Sequence, residues 1–274
     1  MSLLIIPLYR SFLCFLLAVL LLVGPMAHAT DDEVVIYSEH YPPFNFYRNN
    51  KPQGISVELL KIMFEQMSSP LGVEDIQFGP WPRGYKRALT QKNSMLFSTH
   101  RTQARERLFK WVGPIISSRN GLIVRSYLEQ DYSDYRRMKG LRVGVIKNDI
   151  AAILLEELNI PDIKIIHLVN PEKAAMMLEN GSLDIWAYDV NVAADIQRRL
   201  GLLPAEYTVA LYLGQPGLLY FAFNLQTEDR IVENYQQALN RAKQATNSAN
   251  ENRFAKILEH FNYSQLDEEM HPVE

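Results

Sequence analysis

Three arginines, Arg101, Arg105 and Arg107, fall within seven residues of "THRTQARER", directly after the apolar run "SMLF". A guanidinium presents a planar fork of donors that matches a carboxylate, so the cluster suits anion capture. The spacing predicts a short helix over "QARERLF" with Thr102 as its N-cap. Arg105 would then lie in the first turn and Arg101 just outside it, where the helix dipole disfavours cations by roughly 0.3–1 kcal/mol each. An anion bound there would remove the conflict; a solvated charged face, with Arg105 beside Glu106, is the plainer alternative. Arg107 is expected to face solvent.

Complementary charge lies downstream. Asp189 closes "DIWAYD" and opens "NVAADI", a place that suits either an acceptor for an ammonium group or a plain helix cap, and Asp184 reads as a structural turn residue. Tyr41 in "EHYPPFNF" has a ring face that could lie against a ligand, whereas Phe44 and Phe46 are expected in the core. Glu39 either reads a ligand group or is solvated. His100 would make binding pH-sensitive if it touched ligand. Trp81 and Arg83 in "PWPRGY" complete the candidates, and Trp111 is expected to pack. No Ser-His-Asp order, HExxH or phosphate loop occurs.

These residues need a scaffold, and the chain supplies alternating strand-like and helix-like patterns of an α/β protein. Strands are expected at "EVVIYS", "SMLFST", "NGLIVRSYL" (120–128), "LRVGVI", "IKIIHLV", "GSLDIWAYD" and "GLLYFAFNL" (217–225). Helices are expected at "SVELLKIMFEQM", "YKRALTQ", "QARERLF", "IAAILLEELN", "PEKAAMMLEN", "NVAADIQRRLG", "RIVENYQQALNRAKQ" and "NRFAKILEHF". The rhythm runs through two blocks, with 120–128 and 213–225 as candidate crossing segments; one larger α/β domain would read similarly.

Residues 1–29 read as a cleavable signal peptide: Arg10, the apolar "SFLCFLLAVLLLVG", then the A-x-A-like "AHA". The single cysteine, Cys14, lies inside it, so the remaining chain offers no disulfide, thiolate nucleophile or Cys-ligated metal. Neither metal nor cofactor is expected. The formal net charge of −3 becomes −4 without Arg10, which argues against nucleic acid or an anionic membrane surface as partner.

The ordered set "YPPFNFYRNNKPQGISVELLKIM", "RTQARERLFKWVGP", "LRVGVIKND" and "LENGSLDIWAYD" resembles the bacterial extracellular solute-binding proteins of family 3, in a less characterised branch marked by "PWPRGYKRAL". The resemblance covers essentially residues 32–263. It implies a type II periplasmic binding protein fold: two α/β lobes joined by two crossing segments, with a ligand cleft between them. The expected lobes are 30–122 with 217–274, and 123–216. It implies a periplasmic, monomeric protein that captures a small polar solute, carboxylated or zwitterionic, by hinge closure, for an ABC permease or a membrane receptor.

By the same resemblance Arg105 would hold the ligand carboxylate and Asp189, from the opposite lobe, its ammonium. Tyr41, His100, Glu39, Arg101, Trp81 and Arg83 would line the cleft. The sequence departs from the family at Asn148-Asp149, where hydroxyl residues are usual. An ordinary N-cap is the preferred reading of Asp149, since a carboxylate there would repel an anion. The alternative activity is a cyclohexadienyl-type dehydratase on the same scaffold, with Glu39 or His100 as general acid.

Overall fold

The computed structural model describes residues 33–128 and 132–263. The predicted signal peptide, 1–29, lies outside the described residues. Strand β1 (Val35–Ser38) forms from a β-branched run and lies between β4 (Gln77–Phe78) and β5 (Ser94–His100), both parallel to it. A hairpin, β2 (Phe46–Arg48) with β3 (Lys51–Gln53), leads into α1 (Ile55–Met67). Every residue of β5 is buried, as expected of a central strand covered on both faces. Helix α2 is Trp81–Thr90, starting earlier than the predicted "YKRALTQ" because Pro82 sits in its first turn, where a missing N–H costs nothing.

The segment predicted as a third helix is not one. Arg105 N–H donates to the Thr102 carbonyl (3.0 Å) and Leu108 N–H to that of Arg105 (2.9 Å), so the backbone closes consecutive three-residue turns. Eight residues here carry the chain from one side of a strand to the other, between His100 at the end of β5 and Phe109 at the start of β6 (Phe109–Val112). That leaves Thr102 without a helix to cap, and the predicted conflict between Arg105 and a helix dipole disappears.

Two long antiparallel strands join the halves of the sheet. β7 is Ser117–Arg125, shifted from the predicted 120–128 because Ser126–Leu128 turn as a 3-10 segment. β8 (Arg142–Ile146), α3 (Ile150–Glu157), β9 (Lys164–Leu168), α4 (Pro171–Glu179), β10 (Ile185–Asp189) and α5 (Val190–Arg199) follow. β11 runs for 18 residues, Tyr207–Asn224, twice the predicted length. Gly214-Gln215-Pro216-Gly217, where the expected strand was to begin, is a slip in register within it, between Leu213 and Gly217. Gly214 takes φ 65° there and Pro216 has no N–H to donate, so the ladder loosens without breaking. Helices α6 (Asp229–Gln244) and α7 (Arg253–His260) close the described chain against α1.

The strand order is β4-β1-β5-β11-β7-β10-β8-β9, with β6 on β11. Each end is a parallel triplet, and β11 and β7 lie antiparallel between them. β1, β4 and β5 with the C-terminal part of β11 make the first lobe's sheet; β8, β9 and β10 make the second's. Asp184 meets its structural expectation, with Arg142 donating to both of its carboxylate oxygens at 2.9 and 2.7 Å. Phe44 and Phe46 are buried, Trp111 is half-buried on β6, and Arg107 is exposed, all as expected.

Candidate functional site

The two lobes meet through ionisable side chains at strand ends. All five residues of β10 are buried, and their alternation sends Ile185 and Ala187 into the second lobe's own apolar cluster. Trp186 and Tyr188 face the other way and join the cluster that continues into the first lobe. Their rings stack at 5.0 Å, and Tyr188 meets Tyr41 edge-on at 5.9 Å. Tyr41 is therefore buried at the junction of the lobes.

Asp189 follows with no loop and caps α5: its Oδ1 accepts from the N–H groups of Asn191 and Val192, each at 3.0 Å. Its Oδ2 is buried and makes no bond of good geometry, and the Ser118 hydroxyl beside the carboxylate favours its charged form. Burial lifts its carboxyl to about 6, against the helix N–H bonds, which favour the charged form. Asp149 is the equivalent cap of α3, its Oδ1 accepting from Ala151 N–H at 3.0 Å, so the expectation of an N-cap is met. Burial raises its carboxyl too.

Arg105, 2% exposed, reaches across from the first lobe. Its Nη1 donates to the His100 carbonyl at 3.1 Å and its Nη2 to the Asn148 carbonyl at 2.6 Å. Asn148 adopts φ 61°, and its carbonyl also accepts from Trp81 Nε1 at 2.9 Å. One second-lobe carbonyl thus ties down two first-lobe donors. The rings of Tyr85 and Trp81 lie 5.4 and 5.7 Å from the guanidinium carbon and stabilise its charge. Trp81→Phe removes one of the two donors, worth about 1 kcal/mol net, or about fivefold in the closing equilibrium. Small-angle scattering of that variant, measured without ligand, is expected to show a larger radius of gyration at unchanged melting cooperativity.

Glu39, just beyond β1, is buried rather than solvated. Burial first, then the carboxylates of Asp149 and Glu172, hold its carboxyl well above the usual range. His100 is placed differently from expectation. Its Nε2 pairs with Ser118 Oγ at 2.9 Å, and a Cβ on Gly217 would approach its Nδ1 to 2.5 Å, so it is wedged between the crossing strands β7 and β11. Burial, with help from Arg105, lowers its pKa to about 3. The expected titration of His100 near neutral pH is therefore corrected: the imidazole is neutral there.

Glu39, Tyr41, Trp81, Arg105 and Asp189 are brought to this buried junction; Arg101 and Arg83 are not. Arg101 is exposed and forms a bidentate pair with Glu106, at 2.7 and 2.6 Å, which takes the partner foreseen for Arg105. Arg83 is exposed on α2, where it lines a surface recess of about 480 Å³ with Ser38, Phe78 and Arg87. Sequence reasoning missed Tyr188 and the Asn148 carbonyl. The alternation in "IWAYD" signals the first; a backbone acceptor has no signature in residue types. Among the described residues no group of three or more His, Cys, Asp or Glu is placed to hold a metal.

The profile of the bacterial extracellular solute-binding proteins, family 3, matches residues 34–261. No curated protein matches the chain by sequence. Among solved structures, a histidine kinase sensor domain with similarity to periplasmic binding proteins superposes with TM-score 0.70 at 15% identity, over 85% of this chain and 97% of its own. A Salmonella typhimurium periplasmic binding protein with high arginine specificity gives 0.69 at 15%, over 83% and 98%. An amino acid ABC transporter substrate-binding protein from Streptococcus pneumoniae, bound to L-arginine, gives 0.67 at 16%, over 85% and 95%. At such identities the likeness is one of fold, two lobes around a cleft. Among the described residues no helix is long and apolar enough to cross a membrane.

Proposed function

Since the chain belongs to the bacterial extracellular solute-binding proteins, family 3, we propose that it captures a small solute with an amino-acid-like zwitterionic head by closing two lobes on it. One observation carries the proposal: a buried guanidinium of the first lobe, Arg105, bonds to the second lobe at the Asn148 carbonyl, and a buried carboxylate of the second lobe, Asp189, closes the strand whose Tyr188 packs on Tyr41 of the first. Charges of opposite sign held on opposite lobes are matched by a zwitterion only when the lobes are shut, so ligand binds the closed state better and drives closure. Tyr41 and Tyr188 supply the ring surface beside it.

We assign 30–122 with 217–274 to the first lobe and 123–216 to the second. The register slip at Leu213–Gly217 falls beside one of these boundaries and supports a hinge there. Residues 1–29 would direct the chain to the periplasm, where it would act as a monomer. Delivery to an ABC permease is the favoured role; the likeness to a kinase sensor domain supports signalling to a membrane receptor as the second.

Thermal melting with single amino acids tests the reading. A ligand at about 100 times its Kd should stabilise the protein by about 2.7 kcal/mol. A protein that no amino acid, amine or small organic acid stabilises would overturn it. Incubation with a cyclohexadienyl acid is expected to give no aromatic product, against the dehydratase alternative.

A further inference from the structure

Four neighbouring strands, β5, β11, β7 and β10, each place one residue in a row that runs from the first lobe to the second: His100, Gly217, Ser118 and Asp189. Register sets the row. His100 lies opposite Leu219, which is two residues from Gly217 and so on the same face of β11. Gly217 lies opposite Ser118. Asp189 lies opposite Asn120, two residues from Ser118, which makes Ser118 and Asp189 diagonal neighbours on one face. The Ser118 hydroxyl stands beside the Asp189 carboxylate and favours its charged form.

Gly217 makes the row continuous. A Cβ there would come within 2.5 Å of His100 Nδ1, so a bare backbone is what lets the ring pass over β11. Its Nε2 then pairs with Ser118 Oγ at 2.9 Å. His100, Ser118 and Asp189 are all buried, and water does not compete for their bonds.

The Ser118 hydroxyl has one hydrogen and two neighbours able to accept it, His100 Nε2 and the carboxylate. With Asp189 charged, that hydrogen goes to the carboxylate, and His100 carries its own proton on Nε2 and donates to Oγ. With Asp189 protonated, the carboxyl donates to Oγ, the hydroxyl donates to Nε2, and the ring proton sits on Nδ1. The direction of the chain follows the charge at Asp189. Few other groups bear on it: Asp149 of α3 opposes ionisation of Asp189, and Arg105 opposes protonation of His100. The phenols of Tyr41, Tyr188 and Tyr263 lie in the field of Asp189, are pushed up by burial first, and stay neutral.

We propose that Ser118 and His100 are positioning residues for the ammonium site: the hydroxyl, anchored on the first lobe's imidazole, turns to Asp189 and holds it ready for a ligand ammonium, along a path that Gly217 keeps open. The proposal rests on the zwitterion reading above and names what readies its carboxylate. Ser118 and His100 act through Asp189 and not on the solute.

Calorimetry between pH 5 and pH 8 tests it, with the single amino acid that most stabilises the parent protein in thermal melting. Loss of a donor to a carboxylate raises its pKa, by about one unit for one such bond, so the acid fall-off of binding moves to higher pH. Ser118→Ala is expected to bind about tenfold more weakly than the parent at pH 5 and within about threefold of it at pH 8. Gly217→Ala, which displaces the ring, should move the fall-off in the same direction, and Ser118→Thr, which keeps the hydroxyl, should restore it. The parent protein gives a readout that needs neither ligand nor a folded variant at Ser118. Nitrogen-15 spectra should place the His100 proton on Nδ1 at pH 5 and on Nε2 at pH 8. A Ser118→Ala deficit of equal size at both pH values, or a His100 proton that stays on one nitrogen, would overturn the proposal and leave the zwitterion reading standing. Asp189→Asn binding as tightly as the parent would overturn that reading and the proposal with it.

Discussion

Arg105→Ala is expected to lower solute affinity by about 100-fold or more, the usual consequence of truncating one partner of a buried charged contact. The argument begins with burial. A guanidinium 2% exposed has lost its water, and desolvation is the main influence on its pKa, which is lowered. Two carbonyls and two rings offset part of that loss, but its Nε has no partner. Asp149 supplies some counter-charge at a distance, and a carboxylate ligand would add a direct one. Stability without ligand should fall much less than affinity. The carbonyls of His100 and Asn148 lose donors, at about 1–3 kcal/mol each if water does not reach them, while the cost of an uncompensated cation vanishes. Arg105→Lys separates geometry from charge: a point charge in place of the fork should still cost about tenfold. Calorimetry with the amino acid that most stabilises the parent protein in thermal melting reads all three proteins. Binding by Arg105→Ala within about threefold of the parent would make Arg105 a brace between lobes and nothing more.

The order of seven strands and most helices was legible because each carries its own periodicity, whereas β2, β3, β4 and β6, of two to four residues, gave no such signal; the ordered motifs made the two-lobed fold legible as a whole. The failures share a cause. "QARERLF" has the composition of a helix, yet the eight residues available must also cross from β5 to β6, and tertiary path overrides local propensity. The strand expected to begin at 217 begins at Tyr207, because β7 beside it keeps the chain extended through Gly214–Pro216. At the site, Asp189 stands out as a charge closing the apolar "IWAY", whereas Arg105 is one of three clustered arginines singled out by the resemblance; both prove buried. What the sequence could not reveal is how Arg105 is held, since the acceptors are backbone carbonyls of His100 and Asn148 and any residue carries one. Burial of Glu39 was equally hidden: an acid after a strand is solvated unless something covers it, and here the cover includes the second lobe.

His100→Gln is expected to make the protein markedly less sensitive to acid. The sign follows from linkage. Burial holds the His100 pKa at about 3 in the folded chain, against 6.5 for a free imidazole. Between those values the unfolded chain binds a proton that the folded one refuses, so stability falls as pH falls, by about 1.4 kcal/mol per pH unit. Roughly 2 kcal/mol would be lost by about pH 5 from this residue alone. Asp189 works in the opposite direction. Its folded pKa of about 6 exceeds 3.8, so the folded chain takes the proton first, and stability rises by roughly 3 kcal/mol as pH falls through that interval. The two contributions partly cancel in the parent protein, which is why its own pH profile decides nothing. Variants separate them: His100→Gln should flatten the acid limb of denaturant-derived stability, and Asp189→Asn, which keeps a capping oxygen, should steepen it. Glutamine can still reach Ser118 with an amide, so the fold around the crossing strands should survive. Parallel acid limbs for His100→Gln and the parent would mean that the imidazole is solvated or already charged, and the tight wedge between Ser118 and Gly217 would then be wrong.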